Sequence, residues 1–157
     1  MPRPARWIGV VGPGDATTAE LSAAEEVGAG VAAAGAVLVC GGLGGVMEAA
    51  CRGARSRGGA TVGLLPGLDR EDANGWVTLA IPTGMGEMRN ALIVRAADAL
   101  IAIGGGWGTL SEIALALKAG RRVVGLGTWE PTLDGETRPG IVRADDAATA
   151  VAEALRG

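Results

Sequence analysis

The run Ala99-Leu-Ile-Ala-Ile-Gly-Gly-Gly-Trp-Gly-Thr-Leu-Ser-Glu112 constrains this chain more than any other segment. Its first residues, all apolar, read as a strand buried on both faces, and the glycines 104, 105, 106 and 108 end it. A helix start follows at once: Thr109, then Glu112 three residues on, then an apolar run. A strand that feeds a helix through bare backbone leaves amide N–H groups at the positive end of the helix dipole. Such a loop is an anion pocket, most often for a phosphate. Gly104, Gly105, Gly106, Trp107, Gly108 and Thr109 are therefore candidate ligand-binding residues.

The same strand–glycine–helix order recurs along the chain. Strands are expected over 7–11, 36–40, 61–65, 76–81, 99–103 and 123–126, with a short edge strand at 141–142. Helices are expected over 17–34, 46–57, 87–97, 110–119 and 145–155, the first opened by a Thr17/Glu20 capping box. Segments 66–75 and 130–139 read as loops. Apolar strands alternating with helices specify a parallel sheet covered on both faces. The expected fold is α/β: a Rossmann-like, doubly wound, three-layer sandwich with a mostly parallel sheet of six or seven strands, in one domain over 1–157. A ligand in such a fold sits at the carboxyl ends of the strands, near the point where strand order reverses.

Composition narrows the function. The chain is 48% apolar but has no Phe or Tyr and only four Trp, so Val, Leu, Ile and Ala must fill the core. Its net charge is −3, and the longest basic cluster is Arg121-Arg122, so no nucleic-acid partner is expected. Lys118 is the sole lysine; arginine suits phosphate or carboxylate, and an arginine bias also follows from GC-rich coding. Without histidine a Ser–His–Asp triad cannot be built, and no metal site is expected. Cys40 and Cys51 lack metal-like spacing and read as free buried thiols, which fits a reducing cytoplasm. The N-terminus lacks the apolar core of a signal peptide, and no segment reads as a membrane span, so a cytoplasmic protein without membrane partners is expected.

Two further glycine loops fall at the same sheet edge. Gly12 and Gly14, in Gly12-x-Gly14-x-x-Thr17, serve either a tight turn or ligand contact. The second strand ends Leu38-Val39-Cys40-Gly41 without the acid an NAD ribose needs, and no Gly-Lys-Ser/Thr P-loop exists. In the run 41–45 the glycines Gly42, Gly44 and Gly45 suggest close approach of a ligand or of backbone. Glu48 behind them satisfies a helix dipole or serves the site. Arg89 is expected in the first turn of its helix, against the dipole, and so calls for an anionic partner. Glu112 either closes a capping box with Thr109 or does chemistry. Trp107 either stacks on a ligand at the pocket mouth or packs in a subunit interface.

The segments Gly104-Gly-Gly-Trp-Gly-Thr-Leu-Ser-Glu112 and Met88-Arg89-Asn90 resemble the LOG ("lonely guy") superfamily, formerly labelled "possible lysine decarboxylase". Its signature is Pro-Gly-Gly-x-Gly-Thr-x-x-Glu with an upstream Met-x-x-Arg-Lys-type segment. The runs 89–98 and 44–50 are most similar to a short bacterial branch that resembles molybdenum-cofactor carrier proteins. Here Gly104 stands for the usual Pro and Asn90 for the Lys, a departure shared with that branch. The resemblance implies that the loop 104–109 holds a phosphate and that Arg89 and Glu112 correspond to a catalytic pair. Two functions follow as expectations. One is binding of a phosphorylated nucleotide-like or pterin-type ligand, molybdenum-cofactor-like, without turnover. The alternative is a nucleoside 5′-monophosphate phosphoribohydrolase that cleaves the N-glycosidic bond. A third is a sensor whose oligomer changes shape on binding. Nothing resembles a pyridoxal-phosphate lysine site. No resident cofactor is read from the sequence; the bound guest is expected to be the molybdenum cofactor or a nucleoside monophosphate. The apolar content and the resemblance imply a homo-oligomer, dimer or tetramer.

Overall fold

A computed structural model describes residues 3–156. The ends of the expected domain 1–157, and with them the start of the segment weighed as a signal peptide, lie outside the described residues. Nine strands and five helices follow in order: β1 (Trp7–Val11), α1 (Thr18–Ala33), β2 (Val37–Cys40), α2 (Val46–Ser56), β3 (Thr61–Leu65), β4 (Leu79–Pro82), α3 (Asn90–Ala96), β5 (Ala99–Ile103), α4 (Trp107–Lys118), β6 (Arg122–Leu126), β7 (Thr132–Leu133), β8 (Glu136–Thr137), β9 (Ile141–Arg143) and α5 (Ala147–Ala154). The main sheet has seven strands in the order β4-β3-β2-β1-β5-β6-β9. Every pairing in it is parallel. Strand order reverses between β1 and β5, which run in register from Ile8↔Ala99 to Val11↔Ala102.

The period of two along each strand divides the core. Ile8, Val10, Leu38, Cys40, Ile101 and Ile103 meet α1, α2 and α5 on one face. Val11, Val39, Leu100, Ala102 and Val123 meet α3 and α4 on the other. With no aromatic ring among the buried core residues, small residues let backbones approach. A methyl at Gly28 of α1 would stand 1.9 Å from the Ala50 carbonyl oxygen, and one at Gly53 of α2 would stand 1.9 Å from that of Glu25. The two helices thus pack backbone to backbone.

The expected capping box is present: Thr17 Oγ1 accepts from the Glu20 N–H at 3.2 Å, and Glu20 Oε2 accepts from the Thr17 N–H at 3.0 Å. Expectation and structure differ at the start of α4, which begins at Trp107 and not at 110, and in three further segments. The fourth strand is β4, at 79–82, because 76–78 bends across β3: Thr61 Oγ1 donates to the Trp76 carbonyl at 2.6 Å. The expected helix from 87 opens as a 3-10 turn, Gly86–Arg89, before α3. The loop 130–139 contains the small antiparallel hairpin β7–β8, turning at Asp134 and Gly135, both with positive φ (53° and 80°). An Asp-Gly pair is a hairpin signal of the sequence itself. No helix among the described residues is long and apolar enough to cross a membrane.

Candidate functional site

The three glycine loops meet where strand order reverses. A cavity of about 300 Å³ opens there, lined by the end of β1 with Gly12, Pro13 and Gly14, by Gly41 after β2, by Arg89 and Asn90, and by the start of α4. The α4 contribution is Gly106, Trp107, Gly108, Thr109 and Glu112. The first intrahelical bond of α4 runs from the Leu110 N–H to the Gly106 carbonyl, at 3.1 Å. The N–H groups of Trp107, Gly108 and Thr109 precede it and have no carbonyl of their own turn to meet. The loop is braced from behind. Thr128 Oγ1 donates to the Gly104 carbonyl at 2.6 Å, and Trp129 Nε1 donates to the Gly106 carbonyl at 3.1 Å. The Gly104 and Gly106 carbonyls are thus held by the segment that follows β6.

Arg89 closes the 3-10 turn just before α3, so its guanidinium reaches the cavity floor. It is only 8% exposed. Nη2 donates to the Gly41 carbonyl at 3.5 Å and Nη1 donates to Asn90 Oδ1. Nε has no partner among the described residues. Burial lowers the guanidinium from its ordinary value, against an opposing pull from Glu112. Asn90 Nδ2 in turn donates to Ser111 Oγ of α4 at 3.2 Å, tying the two helix starts together.

Glu112 and Thr109 differ from the capping-box alternative. The helix begins at Trp107, capped by Gly106, so both residues lie within its first turns and form no box. The cause is local: Gly106 already has the extended backbone an N-cap needs (φ −66°, ψ 153°). Thr109 is 2% exposed and its Oγ1 has no hydrogen-bond partner among the described residues. Glu112 is 6% exposed. Burial raises its carboxyl to about 7, partly offset by Arg89.

Not every expected residue reaches the cavity. Gly12, Gly14, Arg89, Gly106, Trp107, Gly108, Thr109 and Glu112 line it; Gly42, Gly44, Gly45, Gly104 and Gly105 do not. Of the latter, Gly45 and Gly104 answer to backbone demands. Gly45, with φ +67°, caps α2 where a methyl would stand 2.4 Å from the Pro13 carbonyl oxygen. Gly104, with φ +74°, packs against Glu20 and Pro13. The second loop therefore abuts the first, and the Val46 N–H donates to the Pro13 carbonyl at 3.1 Å. Glu48 lies outside this cavity, beside Asp15 and Arg52. Trp107 is 79% exposed and tilts against Trp129, ring centroids 5.2 Å apart. Beyond it a second, more apolar cavity is lined by Met88, Ala91, Ser111 and Leu115.

Sequence reasoning left Gly41 and Asn90 out of the candidate residues, although Gly41 belongs to the glycine run 41–45 and Asn90 to the Met88-Arg89-Asn90 segment, and it passed over Thr128 and Trp129. Thr128 and Trp129 act through contacts 24 and 23 residues away in the chain, which no local pattern announces.

Residues 5–152 match the model of the SLOG cluster4 family. An uncharacterized protein of Archaeoglobus fulgidus is 49% identical over 119 residues, spanning 76% of this chain and 78% of that protein. Among solved structures, the molybdenum cofactor binding protein of Rippkaea orientalis superposes with a TM-score of 0.86 at 34% identity, covering 95% of this chain and 94% of that one. The Moco carrier protein of Chlamydomonas reinhardtii superposes with a TM-score of 0.84 at 39% identity, with the same coverage.

Proposed function

The chain belongs to the SLOG cluster4 family, and from that premise we propose that it binds a phosphorylated, pterin-type or nucleotide-like small molecule at the mouth of α4. One observation carries this reading. Arg89 and Thr109 line one cavity together with the start of α4, and each keeps a buried polar atom, Nε and Oγ1, without a partner among the described residues. A buried polar group left unpaired costs about 1–3 kcal/mol, more when charged, and an anion that draws these two side chains toward the cavity would supply the missing acceptors. The donor set fits the phosphate-bearing end of a molybdenum-cofactor-like guest: open helix amides, a buried guanidinium and a hydroxyl. Likeness to proteins described as molybdenum cofactor binding and carrier proteins supports the same class of guest.

In this reading Arg89 neutralises the phosphate, while Trp107, Gly108 and Thr109 supply amides from the first turn of α4. Gly14 and Gly108 leave room: a methyl at Gly14 would meet nothing within 4 Å, and one at Gly108 would only graze Asn90 at 4.0 Å. The protein is a carrier or store under this proposal, retaining its guest unchanged. Mass spectrometry of the small molecule that co-purifies with the protein tests it. A phosphorylated pterin or nucleotide, lost from an Arg89→Met variant, is the expected result.

A second reading, hydrolysis of nucleoside 5′-monophosphates, is favoured by Glu112. A carboxyl raised to about 7 exchanges its proton near neutrality. Beside a ribose it can stabilise an oxocarbenium-like state and orient water. Incubation with AMP and N6-substituted AMPs separates the two: free base, absent with Glu112→Ala, would establish turnover. The proposal includes a homo-oligomer, since Met88 (73% exposed), Trp107 and Leu115 form an apolar surface beside the cavity mouth. Light scattering at micromolar concentration tests that part.

A further inference from the structure

The two cysteines of the chain meet under the second glycine loop. Cys40 ends β2 and Cys51 lies in the middle of α2, yet their sulfurs are 3.5 Å apart. Both side chains are wholly buried. Neither ligates or lines the anion cavity, so the proposed function leaves them unused.

Their surroundings connect them to that cavity. Cys40 Sγ accepts from the Gly42 N–H at 3.3 Å. Between them stands Gly41, whose carbonyl accepts from Arg89. On the far side Asn74 Nδ2 donates to the Leu43 carbonyl at 2.9 Å and holds the loop down. Cys51 also feels Asn74 and Thr61. The hydrogen bond between the thiols splits them, Cys40 pushed well up and Cys51 down from the ordinary value. Cys51 is therefore the sulfur that reaches the thiolate first.

The geometry points to a reversible redox site: Cys40 and Cys51 form an intramolecular disulfide under hydroperoxide oxidation, and its formation reshapes the loop 41–45, whose Gly41 lines the anion cavity. The chemistry is a two-electron oxidation. On local opening, the Cys51 thiolate attacks a peroxide oxygen, forming the sulfenic acid and releasing hydroxide, which takes a proton to become water. The Cys40 thiol then attacks the Cys51 sulfur; the S–O bond breaks, water leaves and the S–S bond forms. Two thiols and one hydrogen peroxide thus give one disulfide and two waters. A disulfide needs its sulfurs about 2.05 Å apart. Closing from 3.5 Å must move one sulfur or both, and a displaced Cys40 Sγ loses its present contact with the Gly42 N–H at the start of the loop.

The test uses the intact protein, with hydrogen peroxide as oxidant and dithiothreitol as reductant. Peptide mapping after oxidation is expected to show the Cys40 and Cys51 peptides linked, with the intact mass lower by two hydrogens. Both sulfurs then resist iodoacetamide under denaturing conditions, and dithiothreitol restores them. Hydrogen exchange of the 41–45 peptide is expected to change and recover in step, while α5 does not. Two thiols still alkylated after peroxide, or sulfinic acid without a linked peptide, overturn the site. A linked peptide with unchanged exchange at 41–45 overturns its effect on the loop. None of these readouts involves a ligand, so their failure leaves the proposed function where it stands.

Discussion

Arg89 and Glu112 line one cavity, carry opposite ordinary charges, and are not among the ion pairs of the described residues. Each influences the other's ionisation, but burial is the larger effect on both. Direct contact would have satisfied them at the expense of the site. Held apart, they leave a cation and a half-ionised acid facing the same space. Keeping buried charge incompletely paired costs several kcal/mol in general, and that cost is what a binding site retains when its guest is away.

Replacing Arg89 with methionine is therefore expected to separate binding from stability. Removing a charge-assisted donor should weaken anion affinity by about 1.5–3 kcal/mol, on the order of ten- to hundredfold in Kd. The apolar stem keeps its packing and loses a desolvated charge, so thermal stability should hold or rise. Calorimetric titration with AMP or pyrophosphate, set beside thermal unfolding of the same samples, checks both halves. Unchanged affinity in a folded variant would remove the anion site from consideration.

Glu112 gives the protein a pH signature. Its folded-state value lies above the ordinary 4.5, at about 7. Folding thus favours the protonated form, so its contribution is complete below about 4.5 and is lost as pH climbs through about 7. Glu112→Gln should flatten the decline in that window. Above neutrality it should exceed the wild type in stability by roughly 3 kcal/mol, since every tenfold change in proton affinity between the folded and unfolded chain is worth about 1.4 kcal/mol. Urea unfolding at a series of pH values measures this, and parallel curves for the two proteins would contradict it.

Gly108 and Gly12 line the same cavity for different reasons. A methyl at Gly12 would stand 2.6 Å from both the Ile103 carbonyl oxygen and Val46 Cγ1. Gly12→Ala should accordingly destabilise the fold by about 1–3 kcal/mol. Gly108 sits inside α4 with free space around it, so Gly108→Ala should stabilise the helix by about 0.5–1 kcal/mol. Its methyl also enters the cavity. A higher Tm combined with weaker AMP or pyrophosphate binding is the expected pair of results. A higher Tm with full affinity would mean that nothing approaches Gly108.

Gly28 belongs to the scaffold alone. Gly28→Ala sets a methyl against the Ala50 carbonyl oxygen and must drive α1 and α2 apart. Ordinary overpacking costs about 1–3 kcal/mol, and a backbone obstacle cannot turn aside as a side chain can, so more than about 3 kcal/mol is expected. Little soluble protein, or a Tm lowered by about 10 °C or more, is the outcome to look for. A near-native Tm would show that the two helices can part cheaply.

Much of the architecture was legible in residue order. Strand, glycine loop and helix are local patterns, and Thr17 with Glu20 or the five apolar residues of β5 announce their conformation within a turn or two. Reversal of the sheet between β1 and β5 lets right-handed crossovers set helices on both faces, but its position came from the tertiary structure. The same reading placed most of the cavity wall. It erred where two local patterns competed, as at 106–112, where Gly106 took the cap that Thr109 also could have filled.

By itself the sequence determined which segments become strands and helices, and that bare amides open α4, because those outcomes depend on neighbours a few residues apart. Only the tertiary structure decided that Thr109 Oγ1 and Arg89 Nε would be buried without partners among the described residues, and that Gly45 would serve Pro13 instead of a guest. It likewise brought Cys40 to Cys51 and Trp129 to Gly106. Burial and pairing are sums over atoms distant in the chain. They exist only once the sheet has set those atoms side by side.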